Sequence, residues 1–512
     1  MTRWYLPYTT ARLALRTSPG ATPGARDWGW LWLIITVGAV LRLYRLDGHS
    51  LWLDEGWQYF FAQPQSLHHL FAQALDPTLA PHPPLSYLVH YCFLSLRDSD
   101  WMLRLPSVFF GLGSVLLSGM LARKLISQPA ALYTALVCAI SPFHIWYSQE
   151  GRMYAQLLFL SLLSSLFLIK ATEQAKRHWW VWYTLVTTAG LYTHTFMALS
   201  MMAHCAWILL CRRRAFGAYS LSTVATGMLC LPLAHFLFQS YASRHGSELP
   251  IGKIGFTWWN MPYTFFIYAA GFSLGPSVAE LHENRSLGFL LQFFPIIFCV
   301  VVLYAVLLVM GLLTWPKQGR RSSLLFCLAN LGIPLVAVVG FSFFPRGIRL
   351  SFNVRYTIMA FPYFCLLIGT AFAWLMHKHI RIGTALLLAV VGLAAVSLVH
   401  YHTNPRYAKS DVKAAVAFWR EHANSLPLLS NERVTVARYL HAAEKMSHFP
   451  ILEMTQPVST ITHFFSTHDT ALAYVLLERD WYQLRENAIR HAFTVDQEQA
   501  YPGVKIFRIA RP

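Results

Sequence analysis

The sequence predicts a polytopic α-helical membrane protein that ends in a small soluble α/β domain. Three observations carry this. Apolar runs of about 20 residues recur along the chain up to His400, and that is the length a helix needs to cross a bilayer. Only 12% of residues are charged and 55% are hydrophobic, whereas soluble domains carry about twice that charge. After His400 the balance changes: residues 401–512 hold eleven of the 23 acids and thirteen of the 41 bases.

Taken in order, residues 1–27 form a basic cytoplasmic N-terminus. No small-residue cleavage signal follows the first apolar run, so it reads as a retained anchor. The transmembrane unit, 28–400, is expected to hold about eleven spans. They lie near Trp28–Leu43, Leu103–Leu121, Ala130–Tyr147, Tyr154–Ile169, Trp179–Tyr192, Phe196–Leu210, Tyr219–Phe238, Leu287–Leu313, Ser323–Phe344, Tyr356–Met376 and Ile382–His400. Leu85–Leu96 is apolar but too short to cross, so it reads as re-entrant or surface-lying. The outer loops are 46–102 and 240–286, and in the second an aromatic stretch, Phe256 to Phe272, reads as an interfacial segment over a lipid-facing cleft. In 401–512, helical patterns at Asp411–His422, Arg433–Ala443 and Trp481–His491 alternate with strand-like runs at Leu426–Leu429, Leu472–Leu477 and Val504–Ile509, hence a soluble extracytoplasmic α/β domain.

Charge fixes the orientation. With the N-terminus inside, the inner segments carry Lys and Arg almost alone, Asp27 and Glu173 being their only acids. Counting Leu85–Leu96 as a span would put Arg212-Arg213-Arg214 outside. Most of the net charge of +18 is therefore a topology signal and implies no nucleic-acid partner. All eight cysteines lie in or beside apolar segments, which excludes a disulfide framework and a CxxC zinc site.

The chemistry concentrates in Leu51-Trp52-Leu53-Asp54-Glu55-Gly56-Trp57, where the chain leaves the first span. Two adjacent acids among indoles belong at the membrane boundary. Partial desolvation there is expected to raise a carboxylate's pKa and make it a proton acceptor. The plainer reading is that Asp54 caps a short helix and Glu55 supports its first turn. On the same outer face stand Glu150 with Arg152, and Arg346, Arg349 and Arg355. Carboxylates with several arginines suit a base for an acceptor group and cations for a phosphate. A sugar leaving a lipid phosphate departs from a stable anion, so one carboxylate suffices.

Asp54 is accordingly expected to be the base. Glu55 is expected to orient acceptor, metal or backbone, and Glu150 is a second candidate acid whose plainer reading is an ion pair with Arg152. Arg152 and Arg355 are the phosphate candidates; Arg349 and Arg346 suit a phosphate or anionic headgroups. His82, between prolines, and His194, at a span end, are cleft candidates whose plainer reading is structural. No metal site is assigned, although a divalent ion near Asp54 stays open as a cofactor.

Leu51-Trp52-Leu53-Asp54-Glu55, His82-Pro83-Pro84-Leu85, Arg104-Leu105-Pro106-Ser107, Tyr147-Ser148-Gln149-Glu150-Gly151-Arg152-Met153-Tyr154 and Arg355-Tyr356, in that order, resemble the bacterial GT-C glycosyltransferases related to protein O-mannosyltransferases and aminoarabinose transferases (glycosyltransferase family 39-like). The resemblance covers about residues 28 to 400. It implies a polyprenyl-phosphate-linked sugar as donor, a membrane lipid, glycan or protein of the envelope as acceptor, and inverting transfer outside a bacterial inner membrane. It also implies that the first acid of the Asp-Glu pair, Asp54, is the base. The competing class is a non-enzymatic transporter or flippase of lipid-linked sugars. Such proteins place charges near the midplane and often carry inverted repeats; this chain has its acids at the outer boundary and no repeat. A function lodged in the C-terminal domain alone would not need so many spans.

Overall fold

The computed structural model describes residues 25–63, 65–80, 82–244, 259–284, 286–341, 352–423, 426–440, 457–480 and 483–511. Helices α1 (Ala25–Leu43), α2 (Leu53–Ala62), α3 (Leu67–Ala74) and α4 (Leu85–Leu94) lead into α5 (Asp100–Leu125), α6 (Gln128–Ile140), α7 (Pro142–Ser148), α8 (Tyr154–Gln174), α9 (Arg177–Thr193) and α10 (Met197–Cys211). Then follow α11 (Phe216–Leu229), α12 (Leu231–Arg244), α13 (Asn260–Ala270), α14 (Val278–Glu283), α15 (Leu287–Leu291), α16 (Phe294–Gln318), α17 (Arg321–Phe341), α18 (Phe361–Lys378) and α19 (Ile380–Thr403). Among the described residues six helical stretches are long and apolar enough to cross a membrane, or eight if each of two bent pairs is one span.

Those six coincide with six of the eleven expected spans. Two more, Ala130–Tyr147 and Tyr219–Phe238, are the bent pairs, with angles of 62° and 56°. The other three fall on α1, α9 and α10, of 19, 17 and 15 residues. Within Leu85–Leu96 the helix α4, Leu85–Leu94, has ten residues, about 15 Å against a core of about 30 Å. Of the aromatic stretch Phe256 to Phe272, residues 256–258 lie outside the described residues. From Phe266 to Ala270 helix α13 is buried, and Tyr268 donates a 2.6 Å hydrogen bond to the Thr357 carbonyl.

The α6–α7 bend has a local cause. Pro142 cannot donate a backbone hydrogen bond, so carbonyls near the end of α6 are left without helical partners. Arg42, buried at the end of α1, supplies them: its guanidinium donates to the carbonyls of Ala139 (2.8 Å) and Cys138 (3.3 Å), and also to that of Gly38 in its own helix (2.9 Å). In return the Gln149 amide donates to the carbonyls of Arg42 (3.0 Å) and Tyr44 (2.9 Å), closing α1. This mutual capping sets the loop 149–153 beside the chain leaving α1.

The C-terminal part carries α20 (Val412–Ala423), β1 (Leu428–Ser430), α21 (Arg433–Leu440), α22 (Pro457–Thr467), β2 (Leu472–Glu478), α23 (Leu484–Ala492), β3 (Thr494–Tyr501) and β4 (Val504–Ala510). The sheet order is β1-β2-β4-β3, with β1 parallel to β2 and the other pairs antiparallel. Central β2 is buried on both faces, as its apolar run predicts. Its Ala473, Val475 and Leu477 pack with α22 and α23, and its Tyr474 and Leu476 with α20 and α21. β3 and α22 were not read from the sequence. β3 is an edge strand whose Asp-Gln-Glu-Gln run is mostly exposed, and such an edge lacks the apolar alternation that marks strands.

The second of these cores does not stop at the domain. It continues into Leu51, Tyr59, Ala62, Leu94 and Leu103, so the domain sits directly on α2 and the outer ends of α4 and α5. Polar contacts fix the register. The Tyr439 hydroxyl accepts from the Leu51 amide at 2.7 Å and donates to Asp100 at 2.9 Å. Arg438 pairs with Asp98 at 2.7 Å and lies 4.1 Å from the Tyr59 ring centre.

Candidate active site

Helix α2 places Asp54 and Glu55 in its first turn, where the helix dipole favours negative charge. Neither acid is the cap. Trp52 holds that position and makes no side-chain capping bond. Successive residues point about 100° apart on a helix, and here the two acids part company completely.

Glu55 faces inward and is sealed at 0% exposure. Arg104 from α5 grips it with two 2.8 Å hydrogen bonds, and the Gly151 amide donates a third at 2.7 Å. The rest of the guanidinium donates to the carbonyls of Leu46, His49 and Ser50. Lys409 Nζ stands 3.8 Å from Glu55 Oε2. Burial alone raises the carboxyl pKa, but Arg104, Lys409 and the Gly151 amide overcome it and bring it down to about 2. Glu55 thus ties together the loop after α1, helix α5, the loop 149–153 and the approach to the C-terminal domain.

Asp54 faces the open side, its side chain 22% exposed, and pairs with Arg355 Nη1 at 2.5 Å. Arg355 opens the short 3-10 turn Val354–Ala360, whose cap is Asn353. It lies within 6 Å of the ring centres of Trp52, Tyr154 and Tyr356, within reach of three cation–π contacts. Arg152 donates to the Asp54 carbonyl at 3.0 Å and meets His82 Nε2 at 3.1 Å. Burial alone raises the Asp54 pKa; the charges of Arg355, Arg152 and Arg479 prevail and hold it below the ordinary carboxylate value. The expected upward shift is therefore reversed, because desolvation is outweighed by three cations that no single motif reveals together.

The remaining expected residues distribute as follows. Glu150 is buried at 1% exposure and makes no ion pair with Arg152, whose guanidinium is turned to Asp54 and His82. Its Oε1 has no hydrogen-bond partner, and burial pushes its pKa up. His82 and His194 do meet the cluster: their rings lie 5.6 Å apart, and His194 Nδ1 accepts from the Phe196 amide. Arg346 and Arg349 lie outside the described residues. No group of three His, Cys, Asp or Glu side chains is gathered to hold a metal ion among the described residues.

Sequence reasoning missed Arg104 as the partner of Glu55, although it stood in a quoted motif. It also missed Lys409 and Arg479 from the far end of the chain. Arg479 lies 4.5 Å from the Trp52 ring centre. It sits in the left-handed region at φ 55°, which non-glycine residues rarely occupy. Only the fold brings these two to α2.

This helical membrane bundle under a small mixed α/β layer has the GT-C type of fold, shared with solved structures of ArnT and of an archaeal oligosaccharyltransferase. Residues 81–237 match the family described as dolichyl-phosphate-mannose-protein mannosyltransferase. ArnT from Cupriavidus metallidurans, in a structure bound to undecaprenyl phosphate, superposes over 94% of this chain and 98% of its own with a TM-score of 0.57 and 16% identity. The Archaeoglobus fulgidus oligosaccharyltransferase, tethered to an acceptor peptide, superposes over 89% of this chain and 69% of its own, with a TM-score of 0.56 and 10% identity. YycA of Bacillus subtilis (strain 168), which carries the provisional name mannosyltransferase, is 29% identical over 156 residues, 29% of this chain. That match spans 22% of the relative's length.

Proposed function

We propose that this protein is an inverting membrane glycosyltransferase that moves a sugar from a polyprenyl-phosphate donor to an envelope acceptor, with Asp54 as base. The observation that carries this reading is the Asp54–Arg355 pair, an ionised acid and a cation held together on the open side of α2. An acceptor hydroxyl or amine attacks the anomeric carbon, and the bond from that carbon to the phosphate oxygen breaks. The departing electron pair stays on the lipid phosphate, and the acceptor's proton passes to Asp54. The phosphate competes for Arg355 and Arg152, as arginine forks match phosphate geometry. Drawing Arg355 off Asp54 removes the largest charge that keeps its pKa down, so donor binding itself makes Asp54 a better base. Glu55 is assigned to positioning α2, and His82 and His194 to the wall behind Arg152. On this reading the site opens on the extracytoplasmic side of a bacterial inner membrane, with Arg346 and Arg349 proposed from the sequence as further cations for the phosphate. The bound undecaprenyl phosphate of the ArnT neighbour supports a lipid phosphate as ligand.

The test is sugar transfer from labelled polyprenyl-phosphate donors to envelope extracts, comparing wild type with Asp54→Asn at matched folding. Transfer is expected to fall by at least about 100-fold with donor binding retained. Equal transfer in both removes Asp54 from catalysis, and donor movement across vesicles without product turns the reading to a flippase.

A further inference from the structure

Among the buried ionisable groups near the site, Lys409 and Glu150 each carry a polar atom without a hydrogen bond, and they stand far apart in the sequence. Lys409 follows the last span and is 6% exposed; its Nζ makes no hydrogen bond. Glu150 is 1% exposed, and its Oε1 makes none either. Among the described residues Lys409 Nζ pairs with the Glu55 carboxylate at 3.8 Å, beyond hydrogen-bond range, while Glu55 accepts its three hydrogen bonds from Arg104 and Gly151. Glu55 brings the two together: its Oε2 lies 3.8 Å from Lys409 Nζ, and its Oε1 accepts at 2.7 Å from the amide of Gly151, the residue after Glu150. A buried donor and a buried acceptor that each lack a hydrogen bond are costly, and native proteins seldom keep them idle.

We propose that Lys409 and Glu150 form a polar subsite that holds a hydroxyl of the transferred sugar. A hydroxyl suits both groups at once, accepting from the ammonium and donating to the carboxylate. Trp146, its ring centre 5.0 Å from Lys409 Nζ, supplies an apolar wall of the kind that flanks polar anchors in ligand sites. The placement favours the donor sugar over the acceptor. Glu150 is two residues from Arg152, and the sugar is bonded directly to the phosphate that Arg152 and Arg355 would hold. The inference rests on the transferase reading and extends it: the region after the last span takes part in choosing which sugar is transferred.

The experiment uses the full chain in lipid nanodiscs and measures binding of undecaprenyl phosphate and of a panel of undecaprenyl-phosphate hexoses and pentoses. Wild type is expected to bind one sugar-bearing lipid about tenfold or more tighter than the sugar-free lipid. Lys409→Met and Glu150→Gln should each abolish most of that preference while leaving the sugar-free affinity within about twofold. A deoxy analogue of the preferred sugar should lose the same factor in wild type and nothing further in Lys409→Met. Preference retained in both variants overturns the subsite, the space then holding water alone. Equal loss for sugar-free and sugar-bearing lipids also overturns it, assigning both residues to structure. Wild type that binds none of these lipids overturns the transferase reading, and the subsite with it.

Discussion

Arg104→Met tests whether the sealed Glu55–Arg104 pair holds the site together. The substitution removes two charge-assisted bonds to Glu55 and three bonds to the carbonyls of Leu46, His49 and Ser50. Breaking a buried ion pair from one side typically costs about 3–5 kcal/mol, because the other charge stays buried and unpaired. The Gly151 amide and Lys409 still face Glu55, so the lower half of that range is expected. If α2 opens locally, about 3–4 kcal/mol corresponds to an increase of about 100- to 1,000-fold in amide exchange. Hydrogen exchange read by mass spectrometry on a peptide covering Leu53–Ala62 measures it. The double variant Arg104→Met with Glu55→Leu removes both charges and should recover part of the loss. It keeps the cost of three under-satisfied carbonyls, of the Gly151 amide without its acceptor and of Lys409 without its carboxylate. The reasoning is refuted if Arg104→Met exchanges like wild type, or if the double variant is worse than the single one.

Gly56 is where α2 meets the C-terminal domain most closely. An added Cβ would stand 2.5 Å from Thr435 Oγ1 and 3.3 Å from the Thr435 amide. Gly56→Val should therefore loosen the domain at a cost of about 1–3 kcal/mol, seen as faster proteolysis after Thr403, with partial recovery on adding Thr435→Ala. A second prediction concerns pH. Burial, then the neighbouring Glu478 charge, pushes the Glu432 pKa up from 4.5 to about 8. An acid whose folded pKa is raised binds more protons folded than unfolded, so stability falls as pH rises from about 4.5 through 8. Thermal unfolding at pH 5 and pH 8 should show that fall in wild type, and Glu432→Gln should flatten it. An unchanged slope in the variant would assign the pH dependence elsewhere.

Legibility followed burial and sequence distance. The long apolar helices were readable because a bilayer imposes a length on each of them. The bend after Ile140 was not, although Ser141-Pro142 marked it, because an apolar run reads through a proline when Arg42 can satisfy the freed carbonyls. The acids and Arg152 and Arg355 were legible as charges out of place in an apolar chain. Different roles for the two acids were expected from the helix turn, but not that Glu55 would be turned fully inward onto Arg104 while Asp54 faces Arg355 on the open side. The direction of the Asp54 pKa was misread because desolvation is a local property and the opposing cations come from positions 152, 355 and 479. Lys409 and Arg479 sat in a stretch without any motif.

Asp54 meets Arg355 across 301 positions, and the Leu51 amide meets Tyr439 across 388. A ribosome threading this chain into a membrane lays down α2 long before most of its partners. Glu55 finds Arg104 only 49 positions on, Asp54 waits 301 positions for Arg355, and the Tyr439 contact with Leu51 comes later still. The surroundings of α2 are therefore completed in steps, in the order in which the partners emerge.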